Sequence, residues 1–196
     1  SQIARCLDFP KSSIHSLLLT FVREGYLHRS ETSGRYTCGM KLIRIADDAM
    51  EGIAYRQKTV PLLRQLMEST RLTAHMAILE RNEATVIAKV EAPGSHSVAT
   101  WVGKRIDVHC TSLGKCLIAY LSPAEVERIT SEHGLLRHNE NTVVSLPELR
   151  RELARVRKLG YAVDDEEEEL GMRCIGVPVF DKEGRVLAAI SVSGTT

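Results

Sequence analysis

Residues 1–37, SQIARCLDFPKSSIHSLLLTFVREGYLHRSETSGRYT, determine how the chain begins to fold. Apolar residues recur every three or four positions over 1–7 and again over 11–24, a spacing that predicts two helices separated by a short break. Gly25 suits the left-handed conformation that commonly follows the last turn of a helix. Two extended stretches then flank a polar turn that ends at Gly34, which predicts a hairpin. This order of elements is that of a winged helix-turn-helix.

Positive charge is concentrated in the same part of the chain. Residues 1–44 contain seven Lys or Arg against three acidic residues and so carry a net charge of +4, whereas the whole chain carries only +1. The remaining residues therefore carry −3. A basic N-terminal part followed by an acidic remainder is expected when only one end of a protein meets phosphate.

The second predicted helix presents a polar face at its N-terminal end. Lysine and serine side chains there, together with free backbone N–H groups, suit contacts with DNA phosphates, and the next polar residues lie within reach of base edges. An arginine beside Gly34 is placed for a phosphate contact from the wing. The expected DNA-contacting residues are Lys11, Ser12, Ser13, His15, Ser16 and Arg35. A capped amphipathic helix followed by a hairpin has the same pattern, and helix-turn-helix shapes also serve protein contacts.

A larger second domain is expected after a break near residues 50–60. Its strand-like alternation includes hairpins predicted around 81–83 and around 181–184, with helical patterns between them in the sequence. One of these helices has a clear start, since Ser122 is followed by a proline and then by Glu125 three positions on. This is the pattern of a helix that begins with a capping box.

Cysteine usage and hydropathy narrow the class of protein further. The five cysteines are odd in number, widely spaced and without a CxxC pair, which favours reduced thiols over a disulfide framework or a zinc site. No apolar run approaches the length of a membrane span, and no signal peptide is recognisable. We therefore expect a cytoplasmic protein with no membrane partner, no cofactor and no metal.

Several short motifs, taken in order, resemble one known family. In the first 37 residues these are SQIAR, PKSSIH, GYL and GRY. In the second domain they are TSLGK (111–115), GYAVDDEE (160–167), GMRCI (171–175) and ISVSG (190–194). The first set is similar to the DNA-binding domain of the isocitrate lyase regulator (IclR) family and the second set to its effector-binding domain. The resemblance covers nearly the whole chain, and four ordered motifs are far more specific than any one of them.

The resemblance implies an α+β fold in three parts. A winged helix-turn-helix over 1–39 is joined by a linker helix over 40–58 to an effector-binding domain over 59–196. That domain is GAF-like, with a curved antiparallel sheet flanked by helices. The family also has a helix before the position of Ser1 and closing helices after that of Gly194, so we expect the sequence to be part of a longer chain.

The same resemblance implies a function. Members of the family are transcriptional regulators, repressors or activators, and are not enzymes. They bind double-stranded operator DNA as homodimers or homotetramers, and a small organic molecule, often a carboxylate or an aromatic acid, changes that binding. Two departures stand out: Ser16 occupies a position where the family often has Arg, and Asp107-Val108 replaces the usual Pro-Leu before His109.

Carried over position by position, the resemblance implies an effector pocket formed by Val98, Ser112, Leu113, Asp164, Cys174, Ser191 and Ser193. The residues themselves support part of this set, because Ser191 and Ser193 are two apart on an apolar strand and so point to one face. Two hydroxyl groups are suitable partners for a carboxylate or hydroxyl ligand. Ser112 leads into a helix whose N-terminal N–H groups favour an anion. The alternative is that the serines face solvent or pair with a neighbouring strand.

Asp164 begins a run of six acidic residues that ends at Glu169. Such a run is usually a solvated loop, and we expect Glu166, Glu168 and Glu169 to be solvated. Asp164 follows a strand and is expected to face the ligand. There it would repel an acidic effector unless it is protonated or bridged by water.

Three alternatives remain open from the sequence. A hydrolase with Cys116 as nucleophile, His109 as base and Asp107 as orienting group lacks a nucleophile-elbow pattern. A metal site of His109, Cys110, Cys116 and Cys174 has none of the standard zinc spacings, which favours buried cysteines acting as small apolar residues. The third alternative is a DNA-binding regulator whose second domain only oligomerises.

Overall fold

The computed structural model describes residues 2–94 and 99–196, with the backbone alone at residues 51, 54 and 55. The chain divides into two compact units, Ser1–Ala54 and Tyr55–Thr196. This division falls inside the segment 40–58 for which the sequence predicts a linker helix. In the described part of the chain no helix has the length and apolar character needed to cross a membrane.

The first unit contains three helices and a two-stranded antiparallel sheet. Its elements are, in order, α1 (Gln2–Cys6), α2 (Lys11–Arg23), β1 (Leu27–Arg29), β2 (Tyr36–Cys38) and α3 (Lys41–Glu51). Ala4 of α1 and Ile14 of α2 are both buried, and the two helices contact each other. In the sheet Leu27 lies opposite Cys38. These elements form the predicted winged helix-turn-helix.

A close backbone approach fixes the end of the wing against the end of α2. Gly25 has a φ of +78°, in the left-handed region that favours glycine. A Cβ atom added to Gly39 would lie only 2.2 Å from the carbonyl oxygen of Gly25. The Gly39 N–H also donates to the carbonyl oxygen of Tyr26 at 2.8 Å. Only glycine therefore fits at position 39.

The segment 40–58 is divided between two helices. α3 ends at Glu51, and α4 (Ala54–Thr70) begins after a break at Gly52 and Ile53. The N–H groups of both intervening residues still donate to carbonyl oxygens of the last turn of α3, at 3.1 and 3.3 Å. The sequence predicts one linker helix here, whereas the structure has two helices separated by two residues, with Gly52 still in the right-handed helical conformation.

The second unit is an α+β domain built on one six-stranded antiparallel sheet that curls into a half-barrel. After α4 its elements are β3 (Thr73–Glu80), β4 (Glu83–Val90), β5 (Arg105–Ile106), α5 (Ser112–Ile118), α6 (Pro123–His133), α7 (Leu146–Leu159), β6 (Ala162–Asp165), β7 (Met172–Phe180) and β8 (Val186–Thr195). The strand order is β5–β4–β3–β8–β7–β6. The last strand in the sequence therefore lies in the middle of the sheet, between β3 and β7.

The core lies between this sheet and the helices α5, α6 and α7. All seven residues of α5 are buried, and the helix contacts β3, β6, β7 and β8. Leucine, isoleucine and valine side chains of α5, α6 and α7 then pack on small residues of the strands, among them Leu117, Ile129, Leu149, Ala77 and Ala189. Burial of each large aliphatic side chain contributes about 1.5–3 kcal/mol, so this layer fixes where α5 lies on the sheet.

Helix α6 starts as the sequence predicts. The Ser122 hydroxyl accepts a hydrogen bond from the N–H of Glu125 at 3.3 Å, and the Glu125 carboxylate accepts one from the N–H of Ser122 at 2.9 Å. Pro123 occupies the first turn. The predicted capping box is thereby confirmed.

Candidate functional site

The candidate DNA-reading surface lies at the N-terminal end of α2. The predicted residues Lys11, Ser12, Ser13, His15 and Ser16 are all exposed there. No side chain caps this end of the helix, and its first turn contains no acidic residue. The helix is thirteen residues long. Its free N–H groups and the lysine therefore make its N-terminal end electropositive, which suits phosphate.

Arg35, the sixth predicted residue, is exposed in the hairpin just before β2. Its carbonyl oxygen accepts a hydrogen bond from the N–H of Ser30 at 2.9 Å, and Gly34 has a φ of +66°. The wing is thus shaped by its own backbone contacts. Sequence reasoning missed a second wing cation, Arg29, whose guanidinium lies 5.9 Å from the centre of the Tyr36 ring.

The candidate effector site is a small cavity between the sheet and α5. Six of the seven predicted residues line it, and Val98 lies outside the described residues. The described lining residues are His75, Val86, Thr100, Ile106, Thr111, Ser112, Leu113, Asp164, Glu168, Cys174, Ser191 and Ser193. Its volume is about 30 Å³, enough for about two or three water molecules and far below the 300 Å³ or more of a typical ligand pocket.

Strand register brings the predicted polar residues together. Ser193 of β8 lies opposite Cys174 of β7, which in turn lies opposite Asp164 of β6. Ser191 lies opposite His75 of β3 on its other side. Because these positions all lie on the face that α5 covers, side chains from four adjacent strands converge on one cavity.

Asp164 is the most strongly perturbed acid of this cavity. Its carboxylate oxygen Oδ1 accepts hydrogen bonds from the N–H groups of Glu167 and Glu168, at 2.9 and 3.4 Å. Burial nevertheless raises the pKa of Asp164 from 3.8 to about 6, and the neighbouring glutamates add to the rise. Burial and then Asp164 also raise the pKa of the Cys174 thiol to about 12. Cys174 therefore contributes an uncharged thiol.

His75 and Glu168 belong to the cavity but were not singled out from the sequence. Nε2 of His75 lies 2.7 Å from Oγ1 of Thr100, and burial followed by the charge of Lys89 lowers the pKa of His75 to about 4. The imidazole is therefore neutral near pH 7. Glu168 was expected to be solvated, but it lines the cavity and lies 3.5 Å from the ammonium of Lys104. Strand pairing brings His75 to the cavity, whereas Glu168 lies in the segment after β6 and reaches it through tertiary packing, so no local motif identifies either residue.

The described lining carries two carboxyl groups and no lysine or arginine. Thr111 uses its hydroxyl to cap α5, accepting a hydrogen bond from the N–H of Gly114 at 3.0 Å. The repulsion expected between the Asp164 carboxylate and an acidic ligand is therefore present in the geometry. An anion in this cavity would be repelled by Asp164, with no cation in the described lining to offset the repulsion, unless Asp164 carries a proton.

The hydrolase arrangement does not form among the described contacts. Nε2 of His109 lies 3.0 Å from the carbonyl oxygen of Leu136, and Asp107 contacts His138 instead of His109. Cys116 is fully buried, and burial raises the pKa of its thiol to about 12. A buried thiol with such a pKa is a poor nucleophile.

Comparisons with known proteins agree with the order of the two units. A family model described as bacterial transcriptional regulator IclR C-terminal matches residues 48–196, and one described as IclR helix-turn-helix domain matches residues 1–31. The HTH-type transcriptional regulator XynR of Escherichia coli is 36% identical over 196 residues, which cover 100% of this chain and 78% of that protein. Transcriptional repressor IclR of the same species is 31% identical, over 99% of this chain and 72% of that protein.

Two solved structures are similar throughout. IclR of Thermotoga maritima has 30% sequence identity and a TM-score of 0.79, covering 100% of this chain and 78% of that one. An IclR homologue of Microbacterium hydrocarbonoxydans, solved in complex with 4-hydroxybenzoate, has 28% identity and a TM-score of 0.85. The similarity covers 98% of this chain and 79% of that one.

Proposed function

The chain belongs to the IclR family of bacterial transcriptional regulators, and we propose that it binds operator DNA and that a small organic molecule modulates this binding. The DNA is read by α2 and the wing, through Lys11, Ser12, Ser13, His15, Ser16 and Arg35. The effector occupies the cavity formed by Ser112, Leu113, Asp164, Cys174, Ser191 and Ser193. The protein acts in the cytoplasm and has no catalytic activity of its own.

The observation that carries the effector proposal is the convergence of buried polar groups on the face of the sheet that α5 covers. Ser191 and Ser193 are both less than 5% exposed, although they lie on an otherwise apolar strand. Buried hydroxyl groups are retained where they have a partner, and a ligand is a partner that both can share. An IclR homologue binds 4-hydroxybenzoate, which makes hydroxylated aromatic acids the first class to try.

The small volume of the cavity sets a condition on this proposal. About 30 Å³ does not hold an aromatic acid, so the effector must displace side chains or loop segments when it binds. A ligand that selects a more open form can then shift the DNA-binding equilibrium by a coupling free energy of about 1–3 kcal/mol.

A thermal-shift screen of the full chain against carboxylic acids, aromatic acids and sugar acids tests the effector site. A ligand at a hundred times its dissociation constant stabilises the folded protein by about 2.7 kcal/mol. We expect a shift for one chemical class that is weakened in Ser191→Ala and Ser193→Ala. The matched control is Ser131→Ala, which changes an exposed serine of α6. No shift with any class would contradict the sensor.

The cavity volume also favours a second candidate function, in which the second unit only assembles the protein into a homodimer or homotetramer. This regulator would bind DNA with an affinity that depends on protein concentration and on no metabolite. Light scattering of the full chain over a range of concentrations measures the assembly state. Assembly without any ligand shift would support this candidate over the sensor.

Selection of genomic DNA fragments by the full chain tests the DNA-binding part. Binding of the selected fragment is then followed by fluorescence anisotropy for Lys11→Ala and His15→Ala. We expect both variants to bind more weakly, and His15→Ala to discriminate less between sequences. Lys182→Ala is the control, because Lys182 is an exposed lysine of the second unit. Equal affinity for every variant would contradict the assigned surface.

A further inference from the structure

A cluster of three potential metal ligands lies beside the effector cavity but is not part of its lining. Oδ2 of Asp107 and Nε2 of His138 are 2.8 Å apart. Together with Sγ of Cys110 they form a group in which one ligand atom from each residue lies within 4.8 Å of the others. Among the described residues this is the one group of its kind, and it differs from the set His109, Cys110, Cys116 and Cys174 weighed from the sequence.

We propose that Asp107, Cys110 and His138 bind a divalent transition-metal ion of the Zn²⁺ type. Zinc bonds to carboxylate oxygen, imidazole nitrogen and thiolate sulfur at about 2.0–2.3 Å, so its ligand atoms lie roughly 3–4 Å apart in a tetrahedron. The observed separations need only small side-chain movements to reach that geometry. The mixture of O, N and S donors excludes Mg²⁺ and Ca²⁺ as the preferred ion, since both require oxygen ligands.

A fourth coordination position is available from an adjoining cavity. Asp107 and His138 both line a cavity of about 310 Å³, whose other described lining residues come mainly from the turn between β3 and β4, from β5 and from the end of α6. Three protein ligands with one position open to a cavity is the arrangement of an exchangeable zinc site, with water or a small anion as the fourth ligand.

The electrostatic surroundings also favour a cation. Burial raises the pKa of the Cys110 thiol, and the carboxyl groups of Asp107, Glu168, Asp164 and Glu167 around it raise that pKa further. The cations on the cavity wall already have partners, because Arg105 lies 2.7 Å from Glu83 and Lys104 lies 3.5 Å from Glu168. A dication therefore enters a region of net negative charge. Binding replaces the S–H bond of Cys110 by a metal–sulfur bond and releases that proton to solvent.

The local backbone holds the ligands in place without the ion. The carbonyl oxygen of Asp107 accepts a hydrogen bond from the Thr111 hydroxyl at 2.6 Å, and the N–H of His138 donates to Oγ1 of Thr142 at 3.1 Å. Asp107 belongs to the Asp107-Val108 pair that stands where the family pattern has Pro-Leu. The carboxylate ligand is thus a feature of this chain, and the site is not expected throughout the family.

Titration of the chelator-treated full chain with Co²⁺ alone tests the site, because thiolate and imidazole ligation of Co²⁺ gives absorption in the near ultraviolet and visible. We expect one Co²⁺ per chain, displaced by Zn²⁺, with release of a proton in unbuffered solution. His138→Gln and Asp107→Asn should weaken binding by at least about tenfold, and Cys110→Ser should also remove the near-ultraviolet band.

Two variants are matched controls. His133→Gln changes a histidine that lines the same 310 Å³ cavity but is outside the group, and Cys116→Ser changes a second buried thiol. Both are expected to bind Co²⁺ as the unchanged chain does. The proposal is overturned if the unchanged chain shows no thiolate band, or if His138→Gln and Asp107→Asn retain its affinity. Loss of binding in His133→Gln would likewise assign the ion to a different set of ligands.

Discussion

The ammonium group of Lys115 lies 2.5 Å from Oε1 of Glu167, and the Lys115 side chain has no exposed surface. The same ammonium donates to the carbonyl oxygen of Val163 at 2.8 Å. This ion pair joins the middle of α5 to the segment that follows β6. Burial raises the pKa of Glu167, whereas Lys115 opposes that rise. Oε2 of Glu167 is buried with no hydrogen-bond partner among the described residues, so Lys115 is its main source of stabilisation.

We expect Lys115→Met to destabilise the second unit by about 3–5 kcal/mol, because it leaves a buried carboxylate without its partner. The free energy of unfolding is measured by urea titration near pH 7. Lys182→Met is the control, since that lysine is exposed, and it should change stability by less than about 0.5 kcal/mol. A loss of under 1 kcal/mol in Lys115→Met would show that the pair contributes little.

Gly114→Ala should destabilise the same unit by about 3 kcal/mol or prevent folding. A Cβ atom at position 114 would lie 2.5 Å from both the carbonyl oxygen of Asp107 and the Cα atom of Val108. Backbone atoms cannot yield as the end of a side chain can, so α5 must move. Gly52→Ala is the comparison, because its nearest added contact is 3.3 Å and its φ is −60°. Similar melting temperatures for the two variants would contradict this explanation.

Asp164→Asn is expected to stabilise the protein above pH 6. The pKa of Asp164 is about 6 in the folded protein and 3.8 in the reference state, so the folded form binds a proton more tightly. Stability contributed by that proton is present below pH 3.8 and is lost as pH rises to about 6. The variant should therefore match the unchanged chain near pH 4 and exceed it by up to about 3 kcal/mol at pH 8. Parallel stability curves for the two proteins would refute the shifted pKa.

An acidic effector should bind more weakly as pH rises above about 6. Such a ligand has no cation to meet among the described lining residues, and Asp164 must take up a proton to accept it. The groups that face Asp164 are Glu167 and Glu168, the neutral thiol of Cys174 and, across the cavity, neutral His75. Calorimetric titration between pH 6 and 8 should show affinity falling by up to about tenfold per pH unit. In Asp164→Asn this dependence should flatten, and an uncharged ligand should never show it.

Arg35→Ala should weaken DNA binding to a similar extent for every sequence. A lost phosphate contact lowers the slope of log affinity against log salt concentration by about 0.9. Anisotropy titrations at several salt concentrations measure that slope for operator and unrelated DNA. Arg128→Ala is the matched control, since Arg128 is an exposed arginine of α6 in the second unit. An unchanged slope in Arg35→Ala would remove the wing from the DNA-binding surface.

Local sequence signals predict the elements of this protein better than the contacts between them. Gly25 and the Ser122–Glu125 pair mark helix ends because they act within one turn, and the structure has both ends where expected. The alternation of Ser191 and Ser193 likewise gives their shared face. Strand register decides which residue of a neighbouring strand lies opposite each serine. Nothing in the local sequence predicts that His75 lies opposite Ser191.

The acidic run that begins at the end of β6 shows the same limit. Composition predicts a solvated loop, yet Glu167 is buried against Lys115 and Glu168 lines the cavity. Both outcomes depend on α5, whose residues are distant in sequence. A run of charged residues indicates solvent exposure only when no buried charge of opposite sign lies within reach. Tertiary packing determines whether such a charge is present.

The position of β8 has a consequence for synthesis on the ribosome. β8 is the last described strand to be made, yet it joins β3 to β7 and so connects the two halves of the sheet. Until Val186–Thr195 leaves the exit tunnel, β3 and β7 each lack a partner strand along one edge. The sheet against which α5 packs is therefore incomplete until then. The second unit therefore cannot complete its sheet before Val186–Thr195 has emerged, while the first unit, whose contacts are local, can fold earlier.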